Sequence, residues 1–413
     1  MGWRCEVRIL LVNKYWRHAG GVEVHALEVK EWLEGLGHEV IPFAMKEPDT
    51  FESEYGEAFP PEVDFRGEGA RGAWQGLSRA VLSFDSRGAL RAVVDDAQPD
   101  AAYVLHTYHQ LGTVLLNELE QLGIPTVLSL HDYKIACPNY RLFSEATGKI
   151  CTRCLDSTTA MAYAPASERC WNGSAAAGVA LSVEALATRI RRSYQKPGVV
   201  AVLNDLQRRS AIHAGVDPER IVRVPHPVDL EFVPPGRRDG GFLYVGRLVP
   251  EKGVDVLIRA VAHAGVPLTI AGDGRQRADL ESLAGELGAG VDFMGSVNRS
   301  RVRDLMLSAR ALVVPSTWHE VSPLVVYEAI GVDLPVIASA VGGMIDQLGD
   351  GRGYLVPAGD HLALSDVLRA VSSDPEAAQS RSREAREYAR ENWSRGAWDS
   401  NMKGLFSQVG VTL

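Results

Sequence analysis

The chain has 413 residues, 46% of them apolar and 23% charged, which exceeds a single hydrophobic core and matches ordinary globular proteins, so two domains are expected. A net charge of −9 without a long basic tract disfavours nucleic acid and anionic lipid as partners. No apolar run approaches the roughly 18 residues of a membrane span, and the run Ile9 to Val12 is too short for a secretory signal, so a cytoplasmic location is expected.

In chain order, residues 7–43 read as a strand, a glycine-bearing loop at Gly20 and Gly21, an amphipathic helix and a second strand. Residues 46–72 are acidic and without a clear period, and are expected to form a long surface loop over a cleft. His106 and His109 follow one strand, and His131 follows another. A lone histidine is usually structural, but three at strand ends facing one cleft suggest ligand contact, with His109 the preferred candidate.

Four of the five cysteines, Cys137, Cys151, Cys154 and Cys170, share one window, and the middle pair has C-x-x-C spacing. In a reducing compartment that pattern favours one structural zinc over two disulfides or free thiols. Such a closed site leaves the metal no open position for chemistry. Residues 199–223 then read as the last strand and helix of the first domain. Residues 224–241, with four prolines and three glycines, read as a linker.

The second half repeats strand, loop and helix. FLYVGRLVPEKGVDVLIRAV places Arg247 and Lys252 just past a strand, and PLTIAGDG ends a strand at a tight glycine loop containing Gly272. VVPSTWHEVSPLVVYEAIGVDLPVIASAVGG reads as strand, loop, helix and strand, with Ser322 as N-cap, Pro323 as first helical residue, Glu320 before the helix and Glu328 within it. Two cations, a helix N-terminus and an acid able to hold a diol suit a nucleoside diphosphate.

The motifs YVGRLVPEKGVDVLIRA, IAGDG, FMGSV and PSTWHEVSPLVVYEAIGVDLPVIAS, in this order over residues 240–360, resemble the retaining GT4-type glycosyltransferases. That resemblance implies an α/β chain of the GT-B fold, two Rossmann-like domains facing each other across a cleft. It divides the chain into residues 1–234 on the acceptor side, residues 235–389 for the nucleotide sugar, and a helix in residues 390–413 that crosses back. It further implies a nucleoside-diphosphate sugar as donor, with Arg247 and Lys252 on the diphosphate, Glu320 on sugar hydroxyls and Glu328 on the ribose. Gly20, Gly21, Gly272, Val297, Leu324 and Val325 would border the nucleotide, and His109 would lie near the sugar.

No D-x-D motif occurs, so metal-independent chemistry is the expectation, and the resemblance implies retention at the anomeric carbon. The segment HDYKIACPNYRLFSEATGKICTRCLDSTT resembles a subgroup with a cysteine-rich insertion after its HD dipeptide. One departure is Asp346 in GGMIDQ, where many relatives carry a Glu. The acceptor is either a small molecule or a lipid-linked cell-surface glycan precursor. The sequence does not set the oligomeric state, a homodimer being compatible with it. A nucleotide-sugar 2-epimerase and a non-catalytic sugar-nucleotide-binding protein are the alternative functions.

Overall fold

Apolar runs rich in Val, Ile, Leu and Ala, alternating with amphipathic stretches, form parallel strands covered by helices on both faces. The computed structural model describes residues 6–62, 81–171, 173–230 and 238–413. The first sheet uses β1 (Arg8–Val12), β2 (Glu39–Phe43), β3 (Ala101–Val104) and β4 (Thr126–Ser129). A small antiparallel hairpin, β5 (Phe143–Ser144) and β6 (Lys149–Ile150), lies in the cysteine-bearing segment after β4. The first sheet is completed by β7 (Val199–Val202) and β8 (Ile221–Arg223), in the all-parallel order β2-β1-β3-β4-β7-β8.

The second sheet consists of β9 (Phe242–Val245), β10 (Leu268–Ala271), β11 (Val291–Gly295), β12 (Ala311–Val314), β13 (Val336–Ser339) and β14 (Tyr354–Val356). Its order is β11-β10-β9-β12-β13-β14, also fully parallel. The order reverses between β9 and β12, and in the first sheet between β1 and β3. Crevices form at such reversals because successive connections leave for opposite faces. Two Rossmann-like sheets of this kind are the GT-B fold.

One core surrounds the first sheet, and it includes Trp398, Met402, Leu405 and Phe406 of the helix Arg395–Gln408. Trp393, a few residues earlier, packs instead in a core of the second sheet. The chain therefore returns to its first domain between these two tryptophans.

Two local expectations need correction, and a third needs detail. Ile221–Arg223 is a sixth strand, one that the sequence reading left out. Residues 46–62 are largely exposed, as a surface loop should be, but are anchored by Phe59, which is buried against Phe43 with ring centroids 6.0 Å apart. Residues 63–72 of that stretch lie outside the described residues. The helix after Glu320 runs Leu324–Gly331 with Pro323 as its N-cap, while the Ser322 hydroxyl is spent on the Tyr327 hydroxyl at 3.1 Å.

Candidate active site

The loops that leave β9 and β12, on either side of the second-sheet reversal, carry the principal charges. After β9, the Tyr244 hydroxyl donates to the Arg247 carbonyl at 2.8 Å, fixing the backbone while the Arg247 side chain stays exposed. A tight turn, Pro250–Lys252, then closes at Gly253, which has φ +64°. A Cβ there would stand 2.2 Å from the Pro315 carbonyl oxygen, so only glycine lets the β9 and β12 loops meet. Gly272 is equally constrained: φ is +154° and a Cβ would sit 1.8 Å from the Gly246 oxygen.

That approach delivers Lys252 Nζ to Glu320 Oε1 at 2.7 Å, and the Ser316 hydroxyl donates to the same oxygen at 2.6 Å. Glu320 is 5% exposed. Burial raises its pKa, but the charge of Lys252 and hydrogen bonds from Lys252, Ser316 and Trp318 outweigh it and hold the carboxyl below its ordinary value. The result is a fixed carboxylate and ammonium at a strand end. The backbone here is also held, as Gly343 N–H donates to the Glu320 carbonyl at 2.8 Å and Gly342 N–H to His319 Nδ1 at 3.1 Å.

Glu328, the fifth residue of the helix Leu324–Gly331, faces a cavity of about 660 Å³. That cavity is walled by Glu28 and His226 of the first domain and by Arg299, Leu324, Tyr327 and Glu328 of the second. Burial raises the Glu328 carboxyl above its ordinary pKa, and Arg299, 3.8 Å away, opposes the rise. Leu324 is 38% exposed and Val325 is partly buried against the second core. Val297 is half-buried beyond the positive-φ Gly295, in the loop after β11. Arg247, Lys252 and Glu320 are not part of the cavity wall, so the residues expected at the diphosphate and the one expected at the ribose fall in two separate groups.

Facing them, Gly20 and Gly21 open the 15-residue helix Gly21–Gly35, whose first N–H groups attract anions. A Cβ on Gly21 would meet nothing within 4 Å, so no packing within the chain demands glycine there. His106 and His131 follow β3 and β4 as the sequence implied. His109 falls in the short helix Tyr108–Leu111, and its side chain lies outside the described residues.

The sequence reading missed two further imidazoles. His25 lies 4.7 Å from His131 and 5.0 Å from His226, centroid to centroid. Burial drives His131 well below its ordinary pKa and His226 down to about 3, and the mutual repulsion of the rings adds to this, so these two are neutral. His106 is held neutral by burial and by Lys14, which makes its 3.4 Å approach to Asp132 a contact between uncharged ring and carboxyl oxygen, not an ion pair. Asp132 itself is pushed up to about 7 by burial, against the Lys134 N–H hydrogen bond and the charges of Lys14 and Lys134. Spacing gave no signal for this cluster, because its members come from a helix and three separate strand ends.

Several bonds tie the two domains across the cleft. The Tyr133 hydroxyl donates to the Glu320 carbonyl at 3.1 Å, and Asn204 Nδ2 donates to the Val321 carbonyl at 2.7 Å. Asp346, the residue that departs from the usual Glu, pairs with Arg223 at 2.9 Å and accepts from the Asp205 N–H at 3.2 Å. Its carboxylate is thus engaged with the first domain.

The zinc expectation is not met. The four insertion cysteines are free thiols, and among the described residues no group of three or more His, Cys, Asp or Glu side chains is arranged to hold a metal ion. Burial, helped by neighbouring cysteines, raises Cys137 to about 11 and Cys170 to about 12 and keeps these two thiols protonated. Their donors point to local acceptors: Cys137 Sγ to Asn139 Oδ1 at 2.8 Å and Cys170 Sγ toward the Ala164 carbonyl at 3.9 Å. C-x-x-C spacing puts two thiols within reach of a metal but does not turn them toward one.

Two parallel Rossmann-like sheets with charged loops at a strand-order reversal define the GT-B architecture. The chain belongs to the glycosyltransferase family described as glycosyl transferase 4-like: residues 20–227 match that domain, and residues 236–391 match the domain of glycosyl transferases group 1. An alpha-D-kanosaminyltransferase from Streptomyces kanamyceticus is 28% identical over 177 residues, 41% of this chain and 46% of that protein. A D-inositol 3-phosphate glycosyltransferase from Xylanimonas cellulosilytica is 36% identical over 187 residues, 39% of this chain and 45% of that one. This chain therefore spans less than half the length of these curated relatives in either alignment. Among solved structures, a sucrose-phosphate synthase from Thermosynechococcus elongatus superposes with TM-score 0.69 at 19% identity, covering 98% of this chain and 99% of that one. Anabaena Alr3699/HepE in complex with UDP gives 0.64 at 17% identity, covering 97% and 100%. Among the described residues no helix is long and apolar enough to cross a membrane.

Proposed function

We propose that the chain is a retaining glycosyltransferase that moves a sugar from a nucleoside-diphosphate sugar to a hydroxyl or other nucleophile of an acceptor. The observation that carries this reading is the placement of Arg247 and of the Lys252–Glu320 pair on the two loops that flank the second-sheet reversal, with Glu328 one helix further on. Departure of the nucleoside diphosphate builds negative charge on the leaving phosphate. Arg247 and Lys252 stabilise that charge, and Lys252 does so without reorganising, since Glu320, itself held by the Ser316 hydroxyl, already fixes its ammonium. Glu320 borders the sugar, and Glu328 accepts from ribose hydroxyls, a role that its part-buried position beside the cavity suits.

The acceptor enters from the first domain, past the His25, His106, His131 and His226 cluster. In this reading it attacks the face that the leaving group vacates, and the donor phosphate takes its proton. His109 retains its assigned place near the sugar, and Gly20 and Gly21 border the phosphates. A cytoplasmic enzyme acting on either a small-molecule or a lipid-linked acceptor fits the charge balance.

UDP-glucose is the first donor to assay, because the HepE neighbour is solved with UDP-glucose. A panel of UDP-, GDP- and ADP-sugars is screened for release of free nucleoside diphosphate with and without acceptors. Release that depends on acceptor supports transfer, whereas isomerised sugar nucleotide with no release would establish the epimerase instead. Glu328→Gln should weaken nucleoside diphosphate binding about tenfold or more by removing a charge-assisted acceptor. Unchanged calorimetric affinity in that variant would remove the ribose assignment.

A further inference from the structure

The cysteine-bearing insertion reaches into the other domain. Its residue Arg141 directs one nitrogen to Glu145 Oε1 and the other to Glu251 Oε1, each at 2.6 Å. Glu251 is the neighbour of Lys252 in the turn after β9, and it is 6% exposed. The Arg141 guanidinium also lies 5.4 Å from the Trp318 ring centroid, and Lys252 Nζ lies 5.8 Å from the same ring. The Glu251 carbonyl in turn accepts from the Thr317 N–H at 2.9 Å. One side chain of the first domain thus touches both loops that converge on Glu320.

The presentation of Arg141 is itself constrained. Tyr140 and Leu142, on either side of it, have φ of +59° and +49°, a conformation that non-glycine residues hold only when their surroundings enforce it. Those surroundings are visible. Asn139 Oδ1 accepts from the Arg141 N–H at 3.1 Å, its Nδ2 donates to the Phe143 and Cys170 carbonyls, and the Cys151 N–H donates to the Leu142 carbonyl. Leu142 is fully buried.

We propose that Arg141 is a positioning residue for the donor site, and that the insertion serves to carry it across the cleft and fix the Glu251–Lys252 turn against the Trp318–Glu320 loop. This rests on the reading of Lys252 as a donor-phosphate residue. Arginine suits the task because its planar fork satisfies two carboxylates while its face lies on an indole; a lysine ammonium offers a single point of attachment.

The test compares Arg141→Ala, Arg141→Lys, Glu251→Gln and the Arg141→Ala/Glu251→Gln double variant. Each is titrated calorimetrically with UDP, GDP and ADP and assayed for donor KM and kcat. Arg141→Ala and Glu251→Gln should each raise donor KM and the dissociation constant of the nucleotide bound by the wild type about tenfold. The double variant should lose no more than either single one, since both break the same tie, and Arg141→Lys should recover part of the loss. An Arg141→Ala protein with lower melting temperature but wild-type nucleotide affinity and KM overturns the positioning role and leaves the glycosyltransferase reading standing. Where Arg141→Ala does not fold, Glu251→Gln decides by the same readings. A wild type that binds none of the three nucleotides removes the donor reading and this inference together.

Discussion

Arg247 and Lys252 look equivalent in sequence, two cations five residues apart in one loop, but their surroundings separate them. Arg247 is exposed, whereas Lys252 neutralises the nearly buried Glu320. Both alanine variants should lower kcat/KM by about 10²- to 10³-fold if each stabilises leaving-group charge. Only Lys252→Ala should also unfold more easily, because it strands a buried carboxylate. The cost is about 1–3 kcal/mol, below that of a fully buried pair because the Lys252 side chain stays 21% exposed. Thermal unfolding of the two variants side by side checks this, and equal melting temperatures would contradict it. The same distinction between type and environment applies to Asp132, named in sequence only as part of an HD dipeptide. Its folded pKa of about 7 lies above its unfolded value, so the folded state binds a proton that the unfolded state has lost, and stability falls as pH rises from about 4 to 7. Asp132→Asn keeps the acceptor for the Lys134 N–H and removes the charge. Its melting temperature relative to wild type should therefore be higher at pH 8 than at pH 5, and a difference independent of pH would refute the burial argument. Residue type and loop position were readable in sequence for these groups; burial and partners were not.

At the scale of elements, the βαβ units of the second domain were legible because each parallel strand is covered on both faces and shows as an uninterrupted apolar run. Ile221–Arg223 escaped because three half-buried residues carry no such run. The glycine loops were legible as turns, but what they do is set by contact: Gly272 lets the β10 loop lie against the Gly246 carbonyl beneath Arg247. Gly272→Ala should accordingly destabilise the protein by at least about 1–3 kcal/mol and shift the β9 loop, lowering nucleotide affinity as well. Chemical denaturation together with calorimetry checks both effects, and a variant with wild-type stability would show that the loops can separate freely. The cysteine insertion marks the opposite limit. Its residue types matched a zinc module, yet thiol orientation follows from a fold of positive-φ residues and Asn139 hydrogen bonds that no spacing rule encodes.

For the whole molecule, the two-domain plan followed from length and from the proline-rich stretch, whereas the bonds that join the domains span sequence separations of 110 and 187 residues and leave no local pattern. The crossing helix belongs to the same class of long-range fact. Its sequence, RGAWDSNMKGLFSQ, reads as one more amphipathic helix, and only the structure shows Trp398, Met402, Leu405 and Phe406 buried in the core of the first sheet. Loss of each such side chain costs about 2–5 kcal/mol, so losing four together is as large as the roughly 5–15 kcal/mol that holds a typical domain folded. A chain ending at residue 394, which keeps Trp393 for the second core, should therefore lose the cooperative unfolding of the first domain while the second retains its own. Differential scanning calorimetry should show one transition fewer or a much smaller unfolding enthalpy, and limited proteolysis should cut residues 6–230 while sparing residues 238–394. Because the Tyr133, Asn204 and Arg141 ties to the loops after β9 and β12 all come from the first domain, the proposed donor site should also bind nucleoside diphosphate more weakly in the truncated chain than in the full one. Wild-type unfolding and wild-type affinity in the truncated chain would mean that the returning helix is dispensable to the first core and that the proposed donor site does not depend on the first domain.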